Sequence, residues 1–118
     1  MKVNLFFSGD VVNTNCVNNF ISEDFQQIIR NQDFSICNFE APIEVVGKKI
    51  LKVGPNINQK KETIEILKNA GFNALLLANN HIYDYGKDAL AATIATAKKL
   101  DLDTLGAGLN RQEAYKPL

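Results

Sequence analysis

The segment LLLANNHIYDYG, residues 75–86, passes from a run of leucines into two asparagines and the only histidine of the chain. Side-chain amides carry donors and acceptors that are costly to bury unpaired. A strongly apolar strand that ends in such groups must end where they have partners or work to do. The flanking sequence says which kind of place that is.

Upstream, NQKKETIEILKNAG (58–71) sets Ile64, Leu67 and Ala70 on one side and closes on Gly71, which predicts a helix and its C-terminal stop. FNALLLA (72–78) then reads as a buried strand. Downstream, GKDALAATIATAKKL (86–100) predicts an alanine-rich helix that buries Leu90, Ile94 and Ala97. The same alternation extends in both directions. KVNLFFS (2–8) is a strand ended by Gly9-Asp10, NNFISEDFQQIIR (18–30) an amphipathic helix, DFSICNFE (33–40) a strand and LDTL (102–105) a short strand. Residues 41–56 carry Pro42, Gly47, Gly54 and Pro55 and read as a long loop with a small hairpin around Gly47. RQEAYKPL (111–118) offers at most one helical turn before Pro117. Strands alternating with helices predict an α/β fold, a parallel sheet with helices packed on it, in one domain.

In an open parallel sheet, ligands bind beyond the carboxyl ends of the strands. The residues leaving those ends are Asp10 after Gly9, Asn38 and Glu40, then Asn79, Asn80 and His81, and finally Gly106 and Gly108. Carboxylates, amides and one imidazole from separate strands are thus expected along one rim. The opening segment turns polar because its strand reaches that rim.

Composition narrows the partners. Thirteen basic and thirteen acidic residues cancel across 118 residues, so no basic stripe exists to follow a nucleic-acid backbone. No apolar run approaches the ~20 residues of a membrane span. The N-terminal apolar run is too short for a signal sequence and has no cleavage site, so the chain as given reads as cytoplasmic. Cys16 and Cys37 have neither a metal-cage spacing nor a disulfide framework, and Cys37 reads as a small buried hydrophobe.

Carboxylate oxygens, an amide carbonyl and an imidazole nitrogen suit a hard or borderline divalent ion, Mg, Mn, Fe or Zn. Such an ion can polarise a phosphoryl or carbonyl oxygen and activate water. An imidazole, able to gain or lose a proton in the physiological range, also suits His81 to the role of proton donor or charge stabiliser. Bland readings stand beside these. His81 can cap a helix or satisfy a loop carbonyl, Asn79 can form a turn, and Asp84 reads as the N-cap of the helix starting near Tyr85. The GAG of 106–108 lacks the third glycine of a dinucleotide loop, and SGDVVNTN after the first strand lacks a phosphate loop. A flavodoxin-like nucleotide module is therefore disfavoured.

FSGDVV, DFSICNFEAPI, LKNAGFNALLLANNHIYDYGKDAL and GAGLNRQEAYKP, in this order and with similar gaps, resemble successive motifs of the capsule-synthesis CapA family of poly-γ-glutamate biosynthesis proteins. That family is similar in fold to the calcineurin-like metallophosphoesterases. The resemblance implies the N-terminal half of a metallophosphoesterase-like sandwich, with metal carried by Asp10, Glu40 and Asn80 and a phosphate-contacting role for His81. It also implies a surface-polymer or other polyanionic substrate and membrane association for some family members. It further implies self-association of this chain or its pairing with a C-terminal half. Val12 stands where phosphoesterases carry a first-strand histidine, and their later histidine motifs have no counterpart here. A non-catalytic member that binds polymer or partner proteins is the alternative expectation.

Overall fold

A computed structural model describes residues 1–118. Four strands, β1 (Leu5–Val11), β2 (Phe34–Phe39), β3 (Ala74–Leu76) and β4 (Asp103–Leu105), form one parallel sheet in the order β1-β2-β3-β4. Helices α1 (Glu23–Arg30), α2 (Glu62–Ala70) and α3 (Gly86–Lys99) connect them in turn, and a short α4 (Arg111–Ala114) follows β4. No helix is long and apolar enough to cross a membrane.

Consecutive parallel strands joined by crossovers of one hand carry their helices on one face. Side-chain contacts show which face. The Phe6 ring meets Phe25 of α1 edge-on at 5.8 Å, and the Ser35 hydroxyl donates to the Ile29 carbonyl of α1 at 3.0 Å. The core gathers there from Ile29, Cys37, Leu67, Leu75 and Leu77. Cys37 is a buried hydrophobe as expected, and burial pushes its thiol up to about 12. Leu5 and Phe7, one position out of phase with Phe6, lie on the opposite face and stay 55% and 60% exposed.

Most element ends shift from the sequence reading. α1 begins at Glu23 because the Ser22 hydroxyl caps it, accepting from the Phe25 N–H at 3.3 Å. α2 begins at Glu62, and Gly71 ends it at φ 108°, the left-handed cap its position suggested. A side chain there would also strike Arg30, since a Cβ would fall 2.7 Å from its Cγ.

Two corrections bear on function. The loop contains no hairpin around Gly47. Instead Ile43 bridges Gln59 in parallel, with Glu44 donating to the Gln59 carbonyl at 2.7 Å and Gln59 donating to that of Pro42 at 2.9 Å. Asp84 is not the cap of α3: Tyr85 occupies that position and no side chain caps it. Asp84 is instead wholly buried, drawn inward by the three partners described below.

Candidate metal and proton-transfer site

The first strand does not stop at Gly9. Its register to β2 passes from Phe7 opposite Ile36 to Asp10 opposite Asn38, so β1 spends one residue more than its partner. This is a bulge, and its consequence is geometric. Three positions beyond Phe7, a regular strand would aim Asp10 at the helix-covered face. The extra residue returns it to the open face, alongside Asn38, whose alternation from Ile36 places it there as well.

The resulting contacts are short. The Asn38 amide donates to Asp10 Oδ1 at 2.6 Å and approaches Glu40 Oε2 at 3.4 Å. Its carbonyl oxygen accepts from the Asn79 amide at 3.2 Å, and Asn79 also donates to the Phe39 carbonyl at 2.9 Å. Asn79 Oδ1 in turn accepts the His81 N–H at 3.1 Å. Asn79 is therefore both a turn former and the tie between β2 and the histidine. Asn80, between them, projects outward and is exposed.

Asp10 and Glu40 meet across the Asn38 amide, and neither forms an ion pair with a Lys or Arg. The Asn38 amide, and then the Glu40 carboxyl, hold Asp10 below the usual carboxylate range. Glu40 is pushed up by its hydrogen bond to Asp10, by partial desolvation and by the Asp10 charge, with His81 acting weakly the other way. One proton between two adjacent carboxyls is the expected outcome of like charges without a cation.

The histidine end is built differently. The Asp84 carboxylate accepts from Lys52 Nζ and from the Ile57 N–H at 2.8 Å, and its Oδ2 lies 2.7 Å from His81 Nδ1. Burial alone would raise this carboxyl; Lys52, His81 and the Ile57 N–H outweigh it and hold Asp84 low. Gln59, also buried, fastens the strand exits. Its amide nitrogen donates to the Val11 and Ala41 carbonyls, each at 3.1 Å, and its oxygen accepts the Asn13 N–H at 2.9 Å.

Lys52, Gln59 and the inward turn of Asp84 escaped sequence reading. Lys52 and Gln59 lie in or beside a segment with no periodicity, and only Asp84, three residues from His81, carried a signal that could have been read as a pair. Gly106 and Gly108 are accounted for by packing. Gly106 adopts φ 80° with a built Cβ 2.6 Å from that of Ala78, and Gly108 is pressed against Glu113 and Ala114. The rim is open surface. A cavity of about 190 Å³ touches it at Asp10 and is otherwise lined by Phe20, Phe25 and Phe72 among others.

The donor set bears on an implied metal. No group of three or more His, Cys, Asp or Glu side chains gathers as a cage. Two carboxylates without a cationic partner, tied through Asn38 to Asn79 with the exposed Asn80 next to it in the chain, nevertheless suit a hard divalent ion whose remaining ligands are water.

Residues 4–118 match the family described as bacterial capsule synthesis protein PGA_cap. The chain belongs to this family. It is 44% identical over 85 residues to the Capsule biosynthesis protein CapA of Bacillus anthracis, an alignment covering 70% of this chain and 21% of that protein. It is 33% identical over 95 residues to the PGA biosynthesis protein CapA of Bacillus subtilis (strain 168), covering 79% of this chain and 25% of that one. The chain thus spans a quarter or less of these relatives' length. The family assignment agrees with the motif resemblance and with the parallel α/β sheet.

Proposed function

We propose that this chain contributes to capsule or poly-γ-glutamate biosynthesis as part of a metallophosphoesterase-like domain. Asp10 and Glu40 would hold a divalent ion, Mn or Mg foremost, with Asn80 as an amide ligand. The ion would supply charge for polarising a phosphoester or acyl oxygen. His81 would donate a proton or stabilise negative charge at the reacting group. The bulge at residues 8–9 supports this reading most directly, because it turns Asp10 to the face where Asn38 and Glu40 already stand. Asn38 orients both acids, and Asn79 holds the histidine's backbone to them.

Titration with Mg, followed by amide NMR, tests the metal reading. The expected result is saturable shifts at Asp10, Asn38, Glu40 and Asn80 with an affinity of about millimolar, since few preformed ligands exist and water fills the rest. Asp10→Asn should abolish the shifts with the fold intact. No response from a folded wild-type chain would leave the second reading, a family member that binds polymer or partner without metal chemistry. The sparse set of ionisable ligands is the observation behind that alternative.

A further inference from the structure

His81 Nδ1 faces two groups that make opposite demands on it. Asp84 Oδ2 lies 2.7 Å away and Lys52 Nζ 3.2 Å away. An ionised carboxylate only accepts, so a bond to Asp84 requires a proton on Nδ1. An ammonium only donates, so a bond from Lys52 would require Nδ1 bare and the proton on Nε2. The ring cannot satisfy both while neutral. The shorter contact and the surroundings of Asp84 decide between them. Its carboxylate is fully buried, and Lys52 already donates to its other oxygen while Ile57 N–H donates to Oδ2. The backbone around it is equally committed. Asp84 N–H donates to the His81 carbonyl at 3.0 Å, and the Asp84 carbonyl accepts from Ile50 N–H and from the Asn56 amide, each at 3.0 Å.

We propose that Asp84 is the positioning residue of His81, fixing the Nδ1–H tautomer and leaving Nε2 as the ring's working nitrogen. Lys52 acts on Asp84 and not on the ring: it keeps the carboxylate ionised in its buried setting and ties loop residues 50–57 to the site. The arrangement is a second-tier hydrogen bond of the kind that sets which imidazole nitrogen is presented to a ligand or substrate. It supplies Nε2 as an acceptor in the neutral ring and as a donor in the charged one. That is the versatility proton donation or phosphate contact needs. The inference rests on the proposed role of His81, but its test does not require metal or substrate.

Because His81 is the only histidine, a long-range ¹H–¹⁵N correlation spectrum of the labelled chain contains one pair of ring nitrogens. At alkaline pH, where the ring is neutral, the expected spectrum shows Nδ1 protonated and Nε2 bare. Lys52→Met should leave that assignment unchanged. Asp84→Ala, which removes the acceptor and leaves Lys52 Nζ beside Nδ1, should reverse it. A protonated Nε2 in the wild-type chain, or a reversal caused by Lys52→Met, overturns the proposal. The wild-type spectrum is decisive even where Asp84→Ala does not fold. Metal titration separates the two readings. Mg binding with a protonated Nε2 would sink the positioning role alone, whereas the Nδ1–H tautomer without Mg binding would sink the metal site alone.

Discussion

The two ends of the rim hold their carboxylates in opposite ways. Asp10 stands exposed and Glu40 half-buried beside it, bridged by one amide, with no cation between them. Asp84 is sealed from solvent and fully partnered by a lysine, an imidazole and a backbone N–H. The first arrangement leaves acceptor capacity unused and can respond to an ion. The second leaves none and serves as a fixed support. Residues of one type, a short distance apart in the fold, thus divide into a part that binds and a part that holds.

The strongest way to break this contrast is to remove each acid in turn. Asp84→Ala strands a largely buried lysine, an imidazole N–H and a backbone donor, so a loss of about 3 kcal/mol is expected in chemical denaturation. Asp10→Ala removes an exposed carboxylate with one amide hydrogen bond and should cost less than about 1 kcal/mol. A large loss from Asp10→Ala, or none from Asp84→Ala, would erase the distinction between support and binding group.

Acid sharpens it further. The folded Asp84 carboxyl lies below its unfolded value, so its contribution is fully present above the ordinary aspartate pKa of about 3.9 and is lost as pH falls towards the folded value. Glu40 has the opposite sign: its raised pKa favours the folded state at low pH, and that contribution fades as pH rises through the folded value. Thermal melts through the acid range should show a fall in stability, and Asp84→Asn should flatten it. A fall of undiminished size in that variant would assign the acid sensitivity elsewhere.

The same shift in Glu40 predicts a pH-dependent affinity for cations. Protons and the ion compete for the Asp10–Glu40 pair, so Mg binding should tighten as pH rises through the raised Glu40 value and then level off. Titration calorimetry at several pH values would show it, and Glu40→Gln should remove the dependence. The smallest effect belongs to Asn80→Ala. An exposed amide outside the hydrogen-bond chain should leave stability within about 0.5 kcal/mol of wild type and only weaken Mg binding. An unchanged Mg affinity would remove Asn80 from the ligand set.

Sequence alone determined the alternation of strands and helices, the parallel sheet and the rim where polar residues collect. These follow from local periodicity, from Gly71 as a helix stop and from the abrupt polarity after Leu77, none of which needs distant partners to be read. It also determined the family, because ANNHIYDYG and its companion motifs keep their order. Tertiary structure alone decided which way the rim residues act. Asp10 reaches the open face only because a bulge appears when β1 pairs with β2, and a bulge is a property of the pair of strands. Asp84 reads as a helix cap until Lys52 and Ile57, 32 and 27 residues away in sequence, arrive to neutralise it. Local sequence registers the charge of a carboxylate, whereas its burial and its partners depend on chain segments brought together only by folding.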